Sequence, residues 1–171
     1  MKLVLLGYMA SGKTIIANVL SEKMQLKHID LDAYIVKKEN LEIAEIFVKK
    51  GEIAFRLLEN KYLKQILLKK DDFILSVGGG TPCYANNMAL IKNNTISIYL
   101  KASIETIYDR IINQKDQRPL VAQIPNDDLK EFIAKHLFER NDYYHQANMG
   151  INVNNKAVFE IVGEILIQIN N

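Results

Sequence analysis

Cysteine occurs once in this sequence, at Cys83, and tryptophan does not occur at all. A single cysteine excludes an internal disulfide and any cysteine-based metal cluster, and it suits a reducing compartment. Long hydrophobic runs are also missing. The apolar opening, Met1 to Leu6, stops at Gly7, too short for a signal peptide and far too short for a transmembrane span. Excess charge is absent as well: 22 basic residues face 20 acidic ones, a formal net charge of +2. The basic residues are dispersed, and Lys69-Lys70 is answered at once by Asp71-Asp72. That distribution leaves no footprint for a nucleic acid or a membrane surface. Only three prolines punctuate the chain, and no repeat, linker or low-complexity tract is visible. The expectation is a soluble, cytoplasmic protein.

What is present suffices for a core. Of the 171 residues, 49% are apolar and 25% charged, which suits a single domain over residues 1–171 that needs no metal or disulfide staple. Leu3-Val4-Leu5-Leu6 is a continuous apolar run, as expected of a strand buried on both faces of a parallel sheet. Phe73 to Val77 and Thr95 to Tyr99 read the same way. His28-Ile29 and Gly150 to Val153 are shorter candidates, giving five strands. Between them lie helical stripes. Val158, Ile161, Val162, Ile165, Leu166 and Ile169 follow one face of a helix, and Ile104, Ile107, Tyr108 and Ile111 repeat the spacing. Phe132, His136 and Leu137 do so more loosely. Strands alternating with helices predict an α/β fold with helices on both sheet faces. Residues 113–125 have no apolar period and carry charge and two prolines, so they predict a long functional loop.

Gly7-Tyr8-Met9-Ala10-Ser11-Gly12-Lys13-Thr14 follows the first strand and fits G-x-x-x-x-G-K-[ST]. The pattern serves phosphate. Its glycines let successive backbone N–H groups converge on phosphate oxygens, and the following helix adds its positive N-terminal end. In that role Lys13 reaches the β- and γ-phosphates and the Thr14 hydroxyl ligates Mg²⁺. Ile16, Val19, Leu20 and Met24 supply the apolar face of the helix. No N-K-x-D sequence for guanine recognition occurs, which argues against a GTPase.

Three further constellations bear on an acceptor. In Asp30-Leu31-Asp32 the two carboxylates can face one site, one near a metal's water shell and one taking a proton from a hydroxyl. The alternative is that one of them caps a helix beginning near Ala33. Arg56 and Glu59 lie three apart on a helix, so they form either a surface ion pair or a guanidinium braced to meet an anionic substrate. Gly78-Gly79-Gly80 follows a buried strand, where open α/β sheets let a ligand approach the backbone. His28, His136 and His145 fit no motif and read as helix or strand-end residues. Cys83 has no paired histidine and reads as a small buried residue.

Taken in order, GYMASGKT, DLD, GEIAFRLLE, SVGGG, QRPL and Arg140-x-x-x-Tyr144 resemble shikimate kinase. The resemblance runs from the first strand to about Tyr144. It implies a three-layer P-loop fold of the nucleoside-monophosphate-kinase type, with a five-stranded parallel sheet in the order 2-3-1-4-5, flanking helices and a mobile lid over residues 113–125. It implies transfer of a phosphoryl group from ATP, with Mg²⁺, to the 3-hydroxyl of shikimate. By the same resemblance Asp32 is the candidate base and shikimate ligand, and Asp30 stands near the magnesium's water shell. Arg56 and Arg140 clamp the shikimate carboxylate, Glu59 orients Arg56, and Gly78, Gly79 and Gly80 bring backbone to the substrate. Gly7, Ala10, Ser11, Gly12, Lys13 and Thr14 hold the nucleotide. Arg110 is the candidate adenine-stacking residue, Asn154 and Asn155 fall in the adenine-contacting loop, and Arg118 is the lid arginine that reaches the transferred phosphate. Ala10 stands where many members have glycine, at a position that the general phosphate-loop pattern leaves free.

A related small-molecule kinase, such as one for gluconate, shares the phosphate loop and fold. A catalytically silent nucleotide-binding module is a third possibility, against which Lys13, Thr14, Asp30, Asp32 and Arg118 together argue. With no extended exposed apolar seam, a monomer is the expectation.

Overall fold

The computed structural model describes residues 1–113 and 119–170. Its elements run β1 (Lys2–Leu6), α1 (Lys13–Met24), β2 (Lys27–Asp30), α2 (Leu31–Glu39), α3 (Ile43–Leu67) and β3 (Phe73–Ser76). A 3₁₀ turn (Thr81–Cys83) follows, then α4 (Asn87–Asn94), β4 (Ile96–Lys101), α5 (Ile104–Ile112) and α6 (Pro119–Ala122). The chain ends with α7 (Asn126–Tyr144), β5 (Met149–Asn152) and α8 (Val158–Asn170).

The five strands form one parallel sheet in the order β2-β3-β1-β4-β5. All four strand pairings are parallel, as helical crossovers between strands require. β1 lies at the centre, with Lys2 opposite Phe73 on one side and Leu3 opposite Ile96 on the other. Alternation along β1 divides the core. Leu3 and Leu5 join Ile16, Leu20, Ile107, Ile133 and Ile165 on one face. Val4 and Leu6 join Ile35, Leu63, Ile66 and Ile91 on the other. A strand whose side chains are buried on both faces has to read as an unbroken apolar run, and that is why β1, β3 and β4 are visible in the sequence.

Three details place the site. α3 is interrupted at Gly51, where φ is 81° and ψ 170°, so residues 52–67 form a separate rod carrying Arg56 and Glu59. α5 starts cleanly because the Ser103 side chain accepts from Thr106 N–H at 3.1 Å, a standard N-cap. The expected structureless loop over residues 113–125 is corrected in its second half. Pro119 opens the short helix α6, which runs to Ala122, and Val121 is fully buried in the core. Proline at the first helical position loses only a donor that had no intrahelical partner, so it starts a turn here instead of preventing one. Residues 114–118, with Arg118, lie outside the described residues.

Candidate active site

The strands' carboxyl ends and the turns after them enclose a cavity of about 660 Å³. The phosphate loop forms its floor. Gly7 has φ 147°, and a methyl group there would lie 2.7 Å from Ser11 Oγ and 2.9 Å from the Leu100 carbonyl oxygen, so only glycine fits. Gly12 caps α1 with φ 99°; no side chain bonds to that cap and no acidic residue stands in the first turn. The N–H groups of that turn therefore keep their positive end facing the cavity. Ser11 is buried and its Oγ has no hydrogen-bond partner among the described residues, an unsatisfied group of the kind that calls for a ligand. Lys13 Nζ donates across the loop to the carbonyls of Gly7 at 2.8 Å and Tyr8 at 2.9 Å. Ala10 is the departure from the usual glycine, and it has φ 61°. An L-residue with a Cβ is strained there.

Arg110 Nη1 donates to the Ala10 carbonyl at 2.9 Å and also lines the cavity, beside the phosphate loop. Lys156, Val158 and Ile161 close the same end. Asn154 does not line the cavity. Its Oδ1 accepts from Ser103 N–H at 2.8 Å, so it ties the start of α5 to the loop after β5.

Asp30 and Asp32 both border the cavity, by a route different from simple strand alternation. Asp30 ends β2 and is the N-cap of α2, accepting from Ala33 N–H at 3.1 Å. The capping alternative is thus realised by Asp30, and the helix begins at Leu31. Asp32 lies one residue inside that helix. Its Oδ1 is buried with no hydrogen-bond partner among the described residues, and its pKa is pushed up to about 6. Burial is the main cause; the Asp30 and Glu59 carboxylates add to it, while Lys13 and Arg56 pull the other way. A proton acceptor with pKa near the working pH is what general base catalysis asks for.

Beside the turn after β3, Arg56 Nη1 donates to Glu59 Oε2 at 2.6 Å and Nη2 donates to Glu52 Oε1 at 3.3 Å. Glu59 is only 1% exposed, and it also accepts from the Thr81 hydroxyl. The surface ion-pair alternative therefore fails, because one partner is inside the protein. Burial lowers the Arg56 pKa, but the two carboxylates outweigh it and raise the value overall.

The glycines after β3 make room for this apparatus. A methyl group at Gly80 would sit 2.9 Å from both terminal nitrogens of Arg56. At Gly79 it would lie 3.4 Å from Arg140 Nη1, and at Gly78 it would lie 3.4 Å from Asp32 Oδ1. Gly78 and Gly79 border the cavity, whereas Gly80, Arg56 and Arg140 stand just beyond its lining. Two arginines and the buried carboxylate of Asp32 thus converge where β3 ends.

Sequence reasoning missed several contacts. Tyr8 occupies a free position of the phosphate loop, yet it is buried, its hydroxyl is 3.2 Å from His136 Nδ1 and the Arg140 guanidinium lies over its ring at 5.4 Å. Burial pushes its pKa up to about 12. The Tyr144 hydroxyl donates to the Gly79 carbonyl at 2.6 Å. Phe55 packs on Phe47 with ring centroids 4.6 Å apart, beside Arg56. His28 reaches Ser76 and Asn18, and burial lowers its pKa against the raising influence of Asp30. Alternation of His28 and Asp30 on β2 was the one available signal. Cys83 is partly exposed instead of buried, and burial pushes its thiol up to about 11 despite the pull of Arg140 and Arg56. It is no nucleophile at neutral pH.

Comparison with known proteins agrees with this arrangement. The family model described as shikimate kinase matches residues 9–170. A shikimate kinase of Flavobacterium johnsoniae is 48% identical over 166 residues, covering 96% of each chain. A crystal structure of shikimate kinase from Bacteroides thetaiotaomicron superposes with a TM-score of 0.93 at 27% identity, covering 100% of this chain and 99% of that one. The shikimate kinase of Acinetobacter baumannii, solved in complex with shikimate, superposes with a TM-score of 0.88 at 30% identity, covering 98% of this chain and 92% of that one. With a family model matched over nearly its whole length and a relative 48% identical across it, the chain belongs to the shikimate kinase family.

Proposed function

We propose that this protein transfers the γ-phosphoryl group of ATP to the 3-hydroxyl of shikimate, a step toward aromatic amino acids. The observation that carries the reading is Asp32: a buried carboxylate with one oxygen unpartnered among the described residues, under the influence of both Lys13 and Arg56. A silent nucleotide-binding module has no use for such a group.

The phosphate loop holds the ATP phosphates on the backbone N–H groups at the start of α1. Arg56 and Arg140 hold the acceptor's carboxylate by charge-assisted hydrogen bonds, and Glu59 keeps the Arg56 guanidinium aimed. Asp32 orients the acceptor hydroxyl and takes its proton. A bond forms between that oxygen and the γ-phosphorus, the bond from the γ-phosphorus to the β–γ bridging oxygen breaks, and ADP leaves. Lys13 stabilises charge on the phosphoryl oxygens as they transfer.

The oxygen donors on this side of the cavity suit a hard divalent cation. Thr14 and Asp30 border the cavity beside the phosphate loop, so they are the residues that would hold Mg²⁺, Asp30 through its water shell. Bound there, Mg²⁺ supplies charge neutralisation on the β- and γ-phosphates. Among the described residues no helix is long and apolar enough to cross a membrane.

The test is ATP consumption with shikimate and with gluconate, the product identified by mass spectrometry. Shikimate 3-phosphate is expected. Gluconate as the preferred acceptor would overturn the substrate while sparing the fold.

A further inference from the structure

The residues that border the cavity account for themselves, but the fixing of Asp30 needs residues outside it. His28 and Asp30 are two apart on β2, so their side chains project to the same side of the strand. Ser76, at the end of β3, pairs directly with Asp30 in the sheet. Ser76 Oγ is 2.9 Å from Asp30 Oδ2 and 2.9 Å from His28 Nε2, and Ser76 is 2% exposed. The far ring nitrogen, Nδ1, is 2.8 Å from Asn18 Oδ1 on α1.

Counting protons gives this chain a direction. The Asp30 carboxylate only accepts, so the single hydroxyl proton of Ser76 goes to it. The serine oxygen must then accept from His28, which requires the hydrogen on Nε2. The chain therefore runs His28 Nε2–H to Ser76 O–H to Asp30 Oδ2. With its hydrogen on Nε2, the neutral ring accepts at Nδ1, so the Asn18 amide meets that nitrogen with its NH₂ group. The other Asp30 oxygen accepts from Ala33 N–H. With both oxygens engaged, the carboxylate cannot turn, and its remaining lone pairs are fixed in direction at the cavity wall.

We infer that His28 is a positioning residue: acting through Ser76, it orients the Asp30 carboxylate for the water shell of the nucleotide-bound divalent cation. The inference rests on the proposed role of Asp30. Outer partners of this kind typically set metal affinity by about 10–100-fold, because a carboxylate free to rotate loses its alignment.

The test is calorimetric binding of ADP to the whole protein, in Mg²⁺ and in chelator, so that the readout is the gain in affinity that metal confers. His28→Phe keeps a ring of similar size and removes the donor. It should cut the metal-dependent gain about 10-fold while leaving metal-free ADP binding and the KM for the acceptor unchanged. His28→Gln, which restores an N–H donor, should recover most of the loss. Ser76→Ala breaks the same chain with a smaller change and should reproduce the Phe result, so it also serves if His28→Phe does not fold. An unchanged metal-dependent gain in Ser76→Ala or His28→Phe overturns the inference. An equal loss with and without metal also overturns it, since that is a packing effect. Asp30→Asn separates the two levels: if it leaves the metal-dependent gain intact, the role of Asp30 fails, and His28 has nothing to position.

Discussion

The phosphate loop is made of consecutive residues, Gly7 to Thr14, and works largely through backbone. The proposed acceptor side is made of side chains drawn from α2, α3, the turn after β3 and α7, separated by up to 108 positions between Asp32 and Arg140. The loop's geometry follows from local φ values and from a methyl group that would not fit at Gly7. The acceptor side's geometry follows from a charge balance in which three carboxylates, Asp30, Asp32 and Glu59, share surroundings with Lys13 and Arg56. A backbone cradle tolerates side-chain changes that keep its dihedrals, whereas a charge balance responds to the removal of any member. Mutations on the two sides should therefore differ in kind as well as size.

The largest expected effect is at Asp32, where the two sides meet. Asp32→Asn should lower kcat by about 10²–10⁴-fold, the range for a positioned base, with little change in the KM for ATP. Near-normal turnover would remove Asp32 from the chemistry. The same variant should be more stable than the parent at neutral pH, measured without metal or nucleotide. The sign follows from linkage. The folded pKa of about 6 exceeds the unfolded value of about 3.9, so ionisation of Asp32 costs the folded state stability as pH rises through that window. Asparagine avoids the cost. Its advantage in melting temperature should be full above pH 6 and should vanish as pH falls below 4.

Lys13→Ala comes next, with a loss in kcat of about 10²–10³-fold for removing one transition-state donor. Weaker acceptor binding in calorimetry, with ADP binding intact, would contradict its place on the phosphate side.

The two arginines sharpen the comparison within the acceptor side. Loss of either should weaken shikimate binding by about 2–5 kcal/mol in a desolvated site and leave ADP binding unchanged. Only Arg56→Ala should also destabilise the fold, because it strands Glu59, which is 1% exposed. A buried carboxylate left without its cation is costly. Arg140 instead lies over the Tyr8 ring, and no buried acid depends on it among the described residues. Parallel melting curves and shikimate titrations for the two variants check this; equal melting temperatures would mean that Glu59 does not need Arg56.

How far the sequence could be read divides along the same line. The strands were visible because β1 and β3 are buried on both faces, and the loop because its residues are contiguous. The sheet order followed from the family resemblance, since periodicity says nothing about which strands pair. The acceptor pair Arg56–Glu59 was visible as a spacing, but only the buried state of Glu59 distinguishes it from a surface ion pair. Contacts between distant positions were out of reach: Tyr8 with His136, 128 residues apart, and His28 with Ser76, 48 apart. They depend on tertiary placement, which leaves no local pattern. The helical turn at Pro119 is not legible in the sequence, because proline both interrupts helices and begins them. The character of Ala10 was hidden too, because a pattern position that admits any residue says nothing of its φ.

Ala10 is therefore the smallest effect and the cleanest probe of the backbone side. Its φ of 61° places a Cβ in the left-handed region, which costs a residue other than glycine roughly 1–2 kcal/mol. Glycine removes that strain but gives back some of the gain, since it loses more backbone entropy on folding, roughly 0.5–1 kcal/mol. Ala10→Gly should thus stabilise the protein by about 1 kcal/mol, a rise in Tm of about 2–4 °C for a chain of this size. The Ala10 carbonyl, which accepts from Arg110 at 2.9 Å, belongs to the backbone and stays in place. Turnover and the KM for ATP should accordingly match the parent's. The contrasting substitution is Gly12→Ala, which puts a Cβ at φ 99° and 3.3 Å from Ile16 Cδ1; it should lower both Tm and nucleotide affinity. Differential scanning calorimetry on the two variants decides the matter. If Ala10→Gly melts below the parent, the loop's conformation at residue 10 is unstrained, and backbone dihedrals are not what holds the phosphate side in shape.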